Sequence, residues 1–191
     1  MAKVHAPGDH VTDANVALQY LKEGNERFVK ETPHKRDFKA ERDVVKNGQK
    51  PFAIILTCAD SRTPPEIFFD QGLGDIFVLR NAGNFADDTA MGSIEFAVEH
   101  LKAVLCVVVG HNECGAVNTA FADATGLAGN LQSALDAIKT DIKGSGSKEN
   151  AMDANVESQV KKISENAVVK KFGAKVMGAI YDIGTGVVTF K

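Results

Sequence analysis

The chain has 191 residues, 44% hydrophobic and 25% charged, and its 22 Lys and Arg nearly balance 25 Asp and Glu, leaving a net charge of −3. That balance lacks the basic footprint of a nucleic-acid binder, and apolar runs such as residues 103–109 fall far short of the roughly 18 residues of a membrane-spanning helix. Three cysteines are too few, and odd in number, for a disulfide scaffold; with no apolar leader visible, one domain over residues 1–191 in the reducing cytoplasm is expected.

Residues 13–30 predict a helix, the core of an N-terminal arm over about 12–31. Ala14, Ala17, Leu18, Leu21 and Phe28 recur at helical spacing, with Thr12 as the expected N-cap. Such a stripe packs either on the chain's own core or on a second subunit. Residues 52–57 form a continuous apolar run, as expected of a strand buried on both faces of a parallel sheet. Residues 75–80 predict a second strand, and 89–102 a helix with Met91, Ile94, Val98 and Leu101 on one face. Residues 103–109 are a third strand, as apolar as the first. Two helical stretches then flank the loop Lys143-Gly-Ser-Gly-Ser-Lys148, the later one carrying Val156, Val160, Ile163 and Ala167 on its inner stripe. Residues 174–182 and 186–191 flank a glycine-rich turn and predict a terminal hairpin. The alternation implies an α/β fold: a mostly parallel central sheet flanked by helices, with a C-terminal antiparallel hairpin strand and an extended N-terminal helix.

Chemistry gathers where the apolar strands end. Cys58 follows the first strand in Cys58-Ala-Asp-Ser-Arg62, and His111 and Cys114 follow the third in Gly110-His-Asn-Glu-Cys114. Singly, a cysteine after a strand is usually a small buried hydrophobe, and H-x-x-C is a weak pattern. Together they lie where open α/β sheets collect ligands, provided the first and third strands are neighbours. Two thiols and an imidazole suit zinc and leave a fourth position open, as zinc catalysis requires; a structural site would usually add a fourth Cys or His. Cys106 lies inside the third strand and reads as core, while His5, His10, His34 and His100 have no partner spacing. Asp60 would either accept a hydrogen bond near the metal or ligate it, with Arg62 deciding which through a bidentate pair. A Cys-based phosphatase would need Arg where Pro64 stands, and no Walker A or G-x-G-x-x-G element is present.

Cys58-Ala-Asp-Ser-Arg62, Arg80-Asn-Ala-Gly-Asn84, Ser93-Ile-Glu-Phe-Ala-Val-Glu-His-Leu101 and Gly110-His-Asn-Glu-Cys-Gly-Ala116 closely resemble the β-class carbonic anhydrases. Asn25-Glu-Arg-Phe28 resembles that family's leading helix and Tyr181-Asp-Ile-Gly-Thr-Gly-Val187 its closing hairpin, so nearly the whole chain is covered. The resemblance implies hydration of carbon dioxide to bicarbonate by attack of zinc-bound hydroxide, with one zinc per subunit on Cys58, His111 and Cys114. It implies Asp60 and Arg62 as the dyad beside the metal. It also implies a homodimer, often paired into tetramers, with the N-terminal helix across the partner. Gln49 of one chain, with Phe77 and Phe96 of the other, would line the substrate pocket. Two departures stand out: position 96 is Phe where several plant-type members carry Tyr, and Ile55 stands where members with an inhibitory bicarbonate site carry Trp. Relatives with the same ligand set hydrolyse carbonyl sulfide or carbon disulfide, and a non-catalytic zinc module would share the scaffold.

Overall fold

The computed structural model describes residues 8–127 and 129–191, so His5 lies outside the described residues. Among the described residues thirteen elements follow in order: α1 (Ala14–Val29), α2 (Phe38–Val45), β1 (Ala53–Cys58), α3 (Pro65–Phe68), β2 (Ile76–Asn81), α4 (Asp88–Glu99), β3 (Leu105–His111), α5 (Gly115–Phe121), α6 (Asn130–Asp141), α7 (Lys148–Glu165), α8 (Ala167–Phe172), β4 (Lys175–Tyr181) and β5 (Val188–Phe190). The five strands form one sheet in the order β2-β1-β3-β4-β5. The first three pairings are parallel and β4–β5 is antiparallel, which is the expected architecture. Strand order reverses between β1 and β3, placing the ligand-collecting crevice of such a sheet at their carboxyl ends.

β1 and β3 are apolar without alternation because both faces are covered: every residue of each is buried. On one face Ala53, Ile55, Leu105, Val107 and Val109 pack with Ala17 and Leu21 of α1 and with Phe68 and Phe69. On the other, Ile54, Leu56, Cys106 and Val108 pack with Ile94, Ala97 and Val98 of α4 and with Val156 and Ile163 of α7. A third cluster joins Cys58 and Cys114 to Val117, Leu135, Ile138 and Met152.

Several boundaries differ from the periodicity. The cap of α1 is Asp13, not Thr12: its backbone is extended, and its side chain accepts from Asn15 N at 2.7 Å. The inner positions of the α1 stripe are covered by the chain's own core, while Ala14, Leu18 and Phe28 stay partly exposed. Ala17 and Leu21 are fully buried, and a Cβ at Gly24 would stand 1.7 Å from the Phe69 carbonyl oxygen. Buried Asn25 donates to Phe68 O at 3.0 Å and Gly186 O at 2.8 Å and accepts from Val188 N at 2.8 Å, tying the helix to α3 and to β5. Strands β1 and β3 each run on to include a candidate ligand. Cys58 pairs in register with Asn81, and His111 with Tyr181. The short helices α2, α3, α5 and α8 have too few turns to show a periodic stripe.

Candidate metal centre

Because Cys58 ends β1 and His111 ends β3, two of the three donors ride on strands rather than loops. Cys114 occupies the N-cap of α5, three residues beyond His111. The donor atoms of Cys58, His111 and Cys114 all lie within 4.8 Å of one another, and all three residues are buried. The two sulfurs are 3.9 Å apart. Tetrahedral zinc with Zn–S bonds of about 2.3 Å would set them about 3.8 Å apart.

The imidazole is oriented for the same task. His111 Nδ1 lies 2.8 Å from the Asn112 carbonyl oxygen, which can only accept, so the ring proton sits on Nδ1 and Nε2 carries the lone pair. That Nε2 is buried without a hydrogen-bond partner, a state that is costly unless something electrophilic meets it. Asn112 is anchored in turn: its side chain donates to Asp182 Oδ2 at 2.7 Å and accepts from Ile183 N at 2.8 Å.

The cysteines respond to each other. The Cys58 thiol is pushed down, first by its hydrogen bond from Cys114 and also, against the effect of burial, by the backbone N–H groups of Gly83 and Asp60. Cys114 is pushed up by its bond to Cys58 and by burial. The donor set, the sulfur spacing and the orphaned imidazole nitrogen therefore fit zinc.

Asp60 lies just beyond β1 in the grip of Arg62. Arg62 Nε and backbone N both donate to Oδ1 at 2.9 Å, and Nη2 donates to Oδ2 at 2.7 Å. The Arg62 side chain holds the Asp60 carboxyl well below the usual carboxylate range, against a smaller opposing effect of burial. Asp60 accepts all three of these bonds from Arg62. A carboxylate offers about four lone-pair sites; three are occupied here, leaving one on Oδ2.

Three supports escaped the pattern reading. Arg80 donates from Nε to Cys58 O at 3.0 Å and from Nη2 to Asp60 O at 2.5 Å, fixing the turn that carries the dyad. Gly83 N donates to Cys58 Sγ at 3.5 Å. Asn155 donates to Gly83 O at 2.9 Å. Asn155 and Gln159 are amides inside the apolar stripe of α7, and that was the available signal.

The expected pocket residues lie elsewhere in this chain. Phe77 and Phe96 meet with ring centroids 6.5 Å apart. Phe77, however, pairs with Ile54, while Cys58 pairs with Asn81. That is four residues further along the strand, about 13 Å at about 3.3 Å per residue. Gln49 is exposed and precedes the amino end of β1, opposite the edge that carries Cys58. A groove of about 660 Å³ lies beside Phe28, Phe38, Ile67 and Leu73, and none of the three ligands lines it.

The carbonic anhydrase family model matches residues 53–188. Carbonic anhydrase 2 of Mycobacterium tuberculosis is 53% identical over 112 residues, 58% of this chain and 54% of that protein. A carbonic anhydrase of Mycolicibacterium smegmatis is 49% identical over 102 residues, 53% of this chain and 50% of that protein. The matched stretch thus spans about half the length of these curated relatives. Among solved structures, a Coccomyxa β-carbonic anhydrase in complex with acetazolamide superimposes with TM-score 0.71 at 28% identity, covering 94% of this chain and 86% of that one. A tetrameric β-carbonic anhydrase from Sordaria macrospora gives TM-score 0.68 at 27% identity, covering 92% and 91%. A motif set running from Cys58 to Cys114, a sheet that reverses at β1 and β3, and these likenesses agree, and the chain belongs to the carbonic anhydrase family, in its β class.

Proposed function

We propose that this protein hydrates carbon dioxide reversibly to bicarbonate at one zinc per subunit, held by the sulfurs of Cys58 and Cys114 and by His111 Nε2. The observation that carries the reading is a buried imidazole nitrogen without a partner, facing two sulfurs 3.9 Å apart. Zinc, when bound, supplies Lewis acidity that makes an oxygen nucleophile available near neutral pH.

The chain's own groups do the rest. Asp60 stays ionised because Arg62 holds it, so its free Oδ2 site can only accept a hydrogen bond. An acceptor there orients the O–H of the attacking species and turns away ligands that lack a proton. Arg80 keeps the carboxylate at its station by holding Asp60 O and Cys58 O. Carbon dioxide is uncharged and a weak hydrogen-bonding partner, so apolar walls and one amide donor suit it. Phe77, Phe96 and Gln49 supply these in a homodimer that joins the flank of one chain to the metal edge of another. Such dimers can pair into a tetramer, the state named for the Sordaria macrospora protein. No described helix is long and apolar enough to cross a membrane, and the three free thiols suit the reducing cytoplasm as the working compartment.

Stopped-flow hydration assays with metal analysis test the reading, with carbonyl sulfide and carbon disulfide run alongside. One zinc per chain and rapid carbon dioxide hydration are expected. Asp60→Asn should keep the zinc and lose about 10–100-fold in kcat. Zinc-replete protein without hydration activity between about pH 7 and 9, the range around the pKa of water on protein-bound or free zinc, would overturn it.

A further inference from the structure

Residues 81–86 connect β2 to α4 and touch Cys58 on the way. Asn81 closes this segment on itself: Oδ1 accepts from Phe85 N at 3.0 Å and Nδ2 donates to Phe85 O at 2.7 Å. The turn aims Gly83 N–H at Cys58 Sγ, 3.5 Å away. Gly83 has φ +84, a backbone that favours glycine, and a Cβ there would stand 2.4 Å from Ile138 Cδ1 and have to displace it.

From the other side, α7 holds the same segment. Asn155 donates to Gly83 O at 2.9 Å. One turn on, Gln159 accepts from Ala86 N at 3.0 Å and donates to Asp141 Oδ2 at 2.7 Å. Lys162 adds a hydrogen bond to Ala86 O. Asn155 and Gln159 are each 1% exposed. These two amides satisfy Gly83 O and Ala86 N, buried backbone groups that an apolar side chain would leave without those partners. Their specific effect is directional: Gly83 is gripped at its carbonyl by Asn155 while its N–H meets the sulfur.

We propose that Asn155 and Gln159 are positioning residues of the metal centre, locking the 81–86 segment so that Gly83 N–H stays on Cys58 Sγ and sets how strongly that sulfur donates to the metal. The inference rests on the zinc reading above. An N–H aimed at a thiolate draws electron density from it and leaves a held dication more electrophilic. Outer partners of this kind typically change metal affinity or activity about 10–100-fold.

The test uses the full chain as Asn155→Leu and Gln159→Leu; the second leaves the Asn155–Gly83 bond in place should the first fail to fold. Ile163→Ala is the control, being buried in α7 within the sheet-facing core. Zinc affinity is read by chelator competition, and the sulfur-to-metal charge-transfer absorption is read on cobalt-substituted protein. Both Leu variants should change zinc affinity about 10–100-fold and move the absorption to lower energy, because a sulfur relieved of that N–H donates more strongly, while the control loses thermal stability with affinity and spectrum unchanged. Leu variants that lose only stability, as the control does, would overturn the inference while leaving the zinc reading intact. Wild type that fails to bind zinc stoichiometrically would remove both.

Discussion

At the carboxyl edge of β1 and β3 every candidate ligand is buried; His111 is held by the carbonyl of its neighbour Asn112, and Cys58 by the Gly83 N–H from another segment. Along β2 and α4 the picture is different: Ile76, Phe77, Val78 and Leu79 are half-covered, and Phe96 is 47% exposed. The first region comes together within one chain because two of its donors end neighbouring central strands and the third caps the helix that follows. The second is a sheet edge with apolar residues on it, a state that natural proteins usually cover. One polypeptide thus brings the three candidate ligands together, whereas Phe77 and Phe96, expected around the substrate, lie on a partly covered flank of the same chain.

Changing the first region should have the largest effect. Cys58→Ser is expected to leave zinc far below one per chain and to cost roughly a thousandfold or more in hydration rate, the order of a lost Lewis acid. Metal analysis beside stopped-flow kinetics checks this; full activity at full zinc would remove Cys58 from the ligand set. Leu21→Ala asks whether α1 belongs to its own chain. A buried leucine on the sheet should cost about 2–5 kcal/mol in denaturant unfolding, whatever the protein concentration. A loss that vanishes at high concentration would instead assign the stripe to a partner.

Phe96→Ala sharpens the contrast from the exposed side. Zinc content and unfolding midpoint should hold while kcat/KM falls about tenfold, as for a trimmed apolar pocket wall. An unchanged kcat/KM would take Phe96 out of the pocket. The smallest effect concerns the dyad. The native pKa of Asp60 is lowered, so its ion pair adds stability above the ordinary carboxyl pKa and loses it as pH falls through the native value. The gap in melting temperature between wild type and Asp60→Asn should therefore be steady from about pH 8 to 5 and close below about pH 4. A gap that instead opens as the solution is acidified would mean that the native pKa is raised.

The site was legible to the depth of its motifs. Cys58, His111, Cys114, Asp60 and Arg62 could be named because each metal-site role restricts the residue type, and the apolar runs before Cys58 and His111 marked strand ends. Asn155, Gln159 and the Gly83 N–H were not legible as parts of the site. An amide in a helix stripe has no fixed spacing from the ligand it serves, and a backbone N–H has no side-chain identity. Thr12 lost the cap to Asp13 because two adjacent cap-forming residues differ only in the backbone angles that the fold imposes.

What the order of residues determined alone was the alternation of apolar and amphipathic segments, and with it the parallel α/β sheet and the chemical identity of the donors. Tertiary structure decided which strands are neighbours, and therefore that Cys58 reaches residues more than fifty positions away. It also decided that α1 lies on its own sheet and that Phe77 stands apart from the cluster in the same chain. The reason is one of range: periodicity and residue type act over a few neighbours, whereas coordination and burial depend on which distant segments share a strand register or a face.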